Sequence, residues 1–181
     1  MIIDCKTFFN NSVKLIKIKL YKDQRGVFYE TYQKKYYLKI GINDNFVQDN
    51  YSFTKKIYTL RGLHFQKTPM QQSKLLTLIN GKITDVIVDL RKKSNFYGQY
   101  IKINMSTNSY NQIYIPKGFA HGFLTKSNDV KVTYKVNNYY SAKHEKTIIW
   151  NDKILNINWN LKNINPIISS KDQKGISFNL I

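Results

Sequence analysis

Lys74-Leu75-Leu76-Thr77-Leu78-Ile79-Asn80-Gly81-Lys82-Ile83-Thr84-Asp85-Val86-Ile87-Val88-Asp89-Leu90 is a pair of apolar, β-branched runs on either side of Asn-Gly. Runs this short, bounded by turn residues, favour strands over helices. Both Asn80 and Gly81 tolerate positive φ, so the spacing predicts a hairpin between 74–79 and 83–90. Working outward, residues 100–105, 111–115 and 130–136 alternate apolar and polar with period two, the pattern of half-buried strands. Shorter strands are expected at 13–20, 27–31 and 147–150. Helical signal is thin, with one short helix expected over 32–40 and a turn at 152–154. Many short strands separated by Gly, Asn and Ser turns, with no internal repeat and no linker, read as an all-β sandwich or jelly-roll barrel with a few short helices. A single domain over 1–181 is expected.

Composition narrows the class. A chain of 181 residues can bury roughly two-thirds of its unfolded surface. At 42% hydrophobic and 14% aromatic it has the makings of a packed core, not of a disordered chain. No apolar run approaches the ~18 residues of a membrane span, and the charged N-terminal stretch does not read as a signal peptide. Cys5 alone cannot form an internal disulfide, which fits a reducing cytoplasm. The net charge of +18 raises nucleic acid as a partner, but the lysines are dispersed in runs no longer than two. Dispersed Lys with abundant Asn and Ile resembles the codon bias of an AT-rich genome. Sequence-independent phosphate binding needs clustered cations, so no nucleic-acid partner is expected. An anionic small molecule would still be steered by such a field.

Two stretches carry candidate chemistry: Arg61-Gly62-Leu63-His64-Phe65-Gln66, followed by Lys74, and Ile115-Pro116-Lys117-Gly118-Phe119-Ala120-His121-Gly122-Phe123. A metal site in a jelly roll needs more ligands than these offer. There is no His-x-His, and His144 lies in a polar stretch that reads as surface loop, so no metal is expected. Each histidine alone could be a satisfied core residue. A His with Arg, Gln and Lys close by on adjacent strands is harder to dismiss, because inward cations need an anion or a function. Neutral His is the usual general base near pH 7, Tyr can return a proton, and Lys or Arg can stabilise a developing oxyanion. Proton abstraction next to a carbonyl is one possibility among several at this point.

The motifs in order are more specific. They begin with Asp23-Gln24-Arg25-Gly26-Val27-Phe28-Tyr29-Glu30 and Phe46-Val47-Gln48-Asp49-Asn50-Tyr51-Ser52, then the Arg61 stretch, Lys74 and Gly81. They continue through Asp85-Val86-Ile87-Val88-Asp89-Leu90-Arg91, Ser94, Gly98, the 115–123 stretch and Tyr134-Lys135. They close with Tyr139-Tyr140, Trp150-Asn151-Asp152 and Ser170-Lys171-Asp172. This ordered set, from about residue 23 to 172, resembles the dTDP-4-dehydrorhamnose 3,5-epimerase family of nucleotide-sugar epimerases.

The resemblance implies a cupin-like jelly roll, a homodimer, no cofactor, a nucleotide-sugar substrate and a place in dTDP-rhamnose biosynthesis. It implies His64 as general base with Asp172 as its carboxylate, Tyr134 as the opposing acid, and Lys74 and His121 beside the C4 oxygen and pyranose. It implies Arg61 and Arg25 as diphosphate contacts, with Arg25 reaching into a partner's site. Glu30, Gln48, Asp49 and Asn50 fall at nucleoside-side positions, Tyr140 at the aromatic that stacks on the base, and Glu145 and Lys171 at further binding positions. Asp85 and Asp89 are expected to support strands or a turn, and Ser52 to cap a turn. Residues 51–60 depart from the family pattern, running one residue longer and without its usual Gly, so specificity is expected to vary there. A sister epimerase acting on another nucleotide sugar such as a GDP-4-keto-heptose, or inverting C3 only, is the alternative, and a non-catalytic sugar-nucleotide binder the second.

Overall fold

The structure is a computed structural model that describes all residues 1–181. The strands are β1 (Ile2–Phe8), β2 (Val13–Ile18), β3 (Tyr21–Asp23), β4 (Gly26–Phe28), β5 (Gln48–Thr54), β6 (Thr59–Gln66), β7 (Lys74–Asn80) and β8 (Lys82–Asp89), then β9 (Tyr100–Ser106), β10 (Gln112–Ile115), β11 (Phe119–Thr125), β12 (Val130–Val136), β13 (Glu145–Thr147) and β14 (Ile167–Ile168). Two short helices are α1 (Lys34–Lys39) and α2 (Ser170–Gln173). One sheet has the order β1-β2-β10-β7-β12-β5 and the other β13-β6-β11-β8-β9, with β14 parallel to β6 and β3–β4 a separate hairpin. The facing antiparallel sheets form the expected jelly roll. No helix is long and apolar enough to cross a membrane.

The Asn80-Gly81 hairpin is not formed. β7 pairs with β10 and β12, and β8 with β9 and β11, so the two runs lie in different sheets. A tight hairpin of the expected type needs positive φ at both turn residues, and here only Gly81 has it, at +98°. The turn is a corner between layers, pinned by the 126–129 connection: a Cβ on Gly81 would stand 2.7 Å from Ser127 Oγ and 2.8 Å from Val130 Cγ2. Elsewhere 13–20, 32–40, 100–105, 111–115 and 130–136 hold the expected elements. The 27–31 strand shrinks to β4, and at 147–150 only β13 and an isolated Ile148–Ile176 bridge form. β1, β3, β5, β11, β14 and α2 were not among the expected elements.

Apolar residues sort into three layers. Leu76, Leu78, Ile83, Ile87, Ile113 and Phe123 fill the space between the sheets. Val86, Val88, Leu60 and Leu63 face outward from the second sheet beneath Trp159, Leu161 and Phe178 of the C-terminal segment. Residues around α1 cover the first sheet, with Tyr37 packed near Ile16 and Leu75. Strands covered on both sides lose their polar face, so β10 is buried throughout instead of half-buried. Asp152 anchors the C-terminal cover, accepting from the backbone N–H groups of Ile154, Leu155 and Phe178 and from Ser177 Oγ at 2.7–3.0 Å.

One irregularity positions the site. β11 pairs with β6 as His121 opposite His64 and Phe123 opposite Arg61, so Gly62 and Leu63 together oppose Gly122 alone. Strict alternation would put Arg61 and His64, three positions apart, on opposite faces. The extra residue of this bulge returns both to the inner face and sends Leu63 into the outer core, fully buried. Glycine is required at its centre: Gly62 has φ +114°, and a Cβ there would lie 2.6 Å from Gly122 Cα and 2.7 Å from the His121 carbonyl oxygen. Replacing Gly62 with Ala is therefore expected to cost about 3 kcal/mol or more, combining backbone strain and overpacking. Urea unfolding tests this; a loss under about 0.5 kcal/mol, the scale of an ordinary surface change, would show that the bulge tolerates a side chain.

Candidate active site

A cavity of about 280 Å³ opens between the sheets at the bulge. β6 contributes Arg61 and His64, β7 Lys74, β11 His121 and Phe123, and β12 Tyr134; α2 closes it with Lys171 and Asp172. An adjoining lobe of about 260 Å³ shares His64, Lys74 and Tyr134, and adds Gln48 and Asn50 from β5 with Tyr140 and Glu145. His64 and Tyr134 thus stand on facing sheets with the cavity between them.

His64 is held by the C-terminal segment. Its Nε2 lies 2.7 Å from Asp172 Oδ1, while Asp172 Oδ2 accepts the Gly62 N–H at 3.1 Å. Asp172 is placed by the α2 cap, where the Ser169 hydroxyl accepts the Asp172 N–H at 3.1 Å. Burial pushes the Asp172 carboxyl up, but the His64 hydrogen bond and charge, the Gly62 N–H and the Lys171 charge outweigh it and hold the group below the usual carboxylate range. An ionised Asp172 accepts from His64 Nε2–H and leaves Nδ1 as a free lone pair, the form a general base needs.

The other cavity groups differ in electrostatics. Burial pulls the Lys74 ammonium down to about 8, with the Glu145 carboxylate pushing back. Burial raises the Tyr134 phenol, with Arg61 opposing and Glu145 assisting, so it carries a proton to give at neutral pH. Arg61 is braced by β5, its Nε donating to Thr54 Oγ1 at 3.0 Å. In the second lobe Glu145 Oε2 accepts from Lys171 and from the Tyr140 hydroxyl at 2.7 Å, and the Tyr140 N–H donates to Gln48 Oε1 at 3.1 Å.

Three expected site residues lie elsewhere within the chain. Asp49 alternates to the outer face of β5 between Gln48 and Asn50 and pairs with Lys135 at 2.9 Å. Arg25 pairs with Asp23, and Glu30 with the N-terminal ammonium at 3.3 Å. Both border a separate concavity of about 750 Å³ beneath the β3–β4 hairpin.

Two residues sit closer to the site than expected. Ser52 caps no turn but lies in β5 facing the cavity. Asp85, beyond any strand-supporting role, holds His121, with Nε2 to Oδ2 at 2.8 Å. The signal for it was a lone carboxylate on the inward face of β8 between Ile83 and Ile87. Asp89 does serve a turn, holding Arg91 and Ser94. His144 lies apart, its Nδ1 2.7 Å from Ser141 Oγ. The departing segment turns away from the cavity: Tyr58 adopts φ +58° and its N–H donates to the Thr125 carbonyl at 3.0 Å. From it Ser52 stands in the wall, and behind Arg61 the Thr54 hydroxyl and the Phe53 carbonyl accept from its guanidinium at 3.0 and 3.5 Å.

Comparison with known proteins shows which family shares this sequence and fold. The family model for dTDP-4-dehydrorhamnose 3,5-epimerase matches residues 10–179. The dTDP-4-dehydrorhamnose 3,5-epimerase of Shigella flexneri is 41% identical over 167 residues, covering 92% of this chain and 91% of the relative. The solved structure of dTDP-4-dehydrorhamnose 3,5-epimerase from Bacillus anthracis str. Ames, with TDP and PPi bound, is 43% identical with a TM-score of 0.90, covering 98% and 99% of the two chains. That of dTDP-6-deoxy-D-glucose-3,5-epimerase from Legionella pneumophila, in complex with dTDP-4-keto-L-rhamnose, is 38% identical with a TM-score of 0.91, covering 98% and 94%.

The partly buried ammonium of Lys74 sets a stability test. The folded protein holds Lys74 at about 8 against an ordinary 10.5, a cost of roughly 3 kcal/mol. That cost is complete below pH 8 and fades as pH rises to 10.5, because only the unfolded chain keeps the proton in that window. Lys74→Met is expected to unfold at higher urea than the parent at pH 7, with the advantage shrinking by pH 10. A difference independent of pH would show that Lys74 is not desolvated.

Proposed function

The chain belongs to the dTDP-4-dehydrorhamnose 3,5-epimerase family, and we propose that it inverts C3 and C5 of dTDP-4-dehydro-6-deoxy-D-glucose to give dTDP-4-dehydro-L-rhamnose. The observation that carries this reading is the placement of a carboxylate-held histidine and a protonated tyrosine on opposite walls of one cavity, with a desolvated lysine lining it.

The C4 ketone acidifies both neighbouring C–H bonds. His64 Nδ1 takes the proton, the C–H electron pair moves into the ring, and negative charge builds on the C4 oxygen. The Lys74 ammonium stabilises that enolate, the kind of donor whose removal typically costs about 3–4 kcal/mol. Tyr134 then protonates the same carbon from the other face, and the configuration inverts. Atoms and electrons balance within the sugar, so the step itself calls for no redox partner. Positioned acid–base groups of this type contribute typically ~10²–10⁴-fold. C3 and C5 flank the same ketone, so one base, one acid and one ammonium serve both centres once solvent has taken the proton from His64 and returned one to Tyr134.

Arg61, held by Thr54, is suited to the diphosphate, and the lobe with Gln48, Asn50, Tyr140, Glu145 and Lys171 to the nucleoside. Arg25 and Glu30 join this scheme across a homodimer, in which the β3–β4 hairpin of one protomer reaches the other's cleft. The exposure of Val27 (53%) and Phe28 (69%) on that hairpin supports this arrangement. The same reading puts the enzyme in the cytoplasm, in keeping with its lone Cys5.

Solvent deuterium wash-in followed by NMR on dTDP- and GDP-linked 4-keto sugars tests the reaction. Label is expected at C3 and C5 of the dTDP compound; label at C3 only, or only with GDP sugars, would replace the substrate assignment. His64→Ala should abolish wash-in, whereas Tyr134→Phe should retain exchange and lose inversion. Wash-in that survives His64→Ala identifies another base. For the dimer, mixing Arg25→Ala and His64→Ala proteins should restore roughly a quarter of parental activity, since half the dimers are mixed and each has one intact site. No recovery on mixing would place Arg25 outside the partner's cleft.

A further inference from the structure

The cavity holds a second histidine–carboxylate pair, opposite the first in the β6–β11 register: His64 with Asp172 and His121 with Asp85. Their contacts are nearly equal in length, 2.7 and 2.8 Å. They differ at the second carboxylate oxygen. Asp172 Oδ2 receives the Gly62 N–H. Asp85 Oδ1 is buried with no hydrogen-bond donor, and the Asp85 side chain is 0% exposed. Asp172 also feels the charge of Lys171, whereas His121 is the only side chain that opposes the effect of burial on Asp85.

Resting on the epimerase reading, we infer that the two pairs have opposite roles: His64–Asp172 accepts a proton from the substrate, and His121–Asp85 donates a hydrogen bond to the C4 oxygen beside Lys74. A fully buried carboxylate with an empty oxygen is strongly disfavoured as a net charge. The Asp85–His121 pair therefore carries one proton in excess of Asp⁻ with neutral His, which makes it neutral overall. Two arrangements of that proton exist. If it rests on the imidazole, both ring nitrogens bear hydrogen. If it rests on Asp85, the carboxyl donates to Nε2 and the ring hydrogen sits on Nδ1. In both, Nδ1–H is the group left free to face the cavity. Burial raising the Asp85 carboxyl agrees with this. Arg61 on β6, Lys74 on β7 and Lys171 on α2 share the cavity and oppose a further full cation there, while Asp172 on α2 favours one and His64 adds no net charge when neutral. A pair that stays neutral overall satisfies both sides.

Asp85 is thus a positioning residue, and Asp85→Asn separates this role from a structural one. Asn keeps the shape but cannot hold the proton; its carbonyl accepts from Nε2–H and strips Nδ1 of its hydrogen. Nitrogen-15 NMR of histidine-labelled parent protein at pH 7 is expected to show protonated Nδ1 at His121 and bare Nδ1 at His64. In Asp85→Asn, His121 should switch to the Nε2–H form, and kcat should fall about 10²–10³-fold, the loss typical of one oxyanion donor, with KM nearly unchanged. Bare Nδ1 at His121 in the parent overturns the inference, as does a variant that switches form yet keeps its kcat. Failure of deuterium wash-in by the parent would instead sink the epimerase reading, and the resonance of the free protein is read without substrate.

Discussion

The carboxylate of Asp172 is the fixed point of this molecule's chemistry. One oxygen holds the ring of His64 and the other takes the N–H of Gly62, at the bulge that turns Arg61 and His64 to the same face. A loop-borne helix of four residues would be a weak platform by itself. It is rigid here because Ser169 caps it, Gln173 closes its turn onto Ser169, and the Asp152 network clamps the segments on either side. Bulge, cap and clamp are separate devices that converge on one nitrogen atom. Loosening any of them would spread the position of the base, and tolerances at such sites are about half an ångström.

The site also shows how little chemical variety is needed for distinct roles. Two imidazole–carboxylate pairs stand side by side, and what separates them is one backbone N–H and the charge of Lys171, both acting on Asp172 alone. Environment pushes apart groups of identical composition, the general means by which one fold holds an acid and a base at the same pH. Lys74 belongs to the same logic. Its desolvation is a cost to folding, and it strengthens every interaction the ammonium makes with an oxyanion in the cavity.

Much of the architecture was legible in the sequence, and the failures have physical causes. Period-two patterns located β9, β10 and β12 because residues facing in and out differ chemically there. The same reasoning misjudged the Asn80-Gly81 turn, since turn chemistry fixes a local reversal but not whether the next strand stays in the same sheet. That choice belongs to the pairing of β7 with β10 and β12, contacts far away in sequence. β1 alternates poorly and α2 is only one turn, so neither gave a signal. In the site, His64, Lys74, Tyr134 and Asp172 were reached through ordered motifs, not local pattern. That they share one cavity, with Arg61 beside them, could not be read from alternation, which places Arg61 and His64 on opposite faces. Asp49 was drawn in by its neighbours Gln48 and Asn50, although a strand must point it the other way. Asp85 was assigned to strand or turn support because an aspartate in a strand is usually at an edge or a turn, and here it lies inside and holds His121.

The distance along the chain between His64 and its carboxylate, 108 residues, has a consequence for how the protein comes into being. Synthesis is vectorial, and a nascent chain that has emerged through β12 already holds His64, Lys74, His121 and Tyr134. It has no Asp172 to orient the base and no cover of Trp159, Leu161 and Phe178 over the second sheet. The half-made sandwich therefore lacks both its outer cover and an oriented base, and the one C-terminal segment supplies the two together.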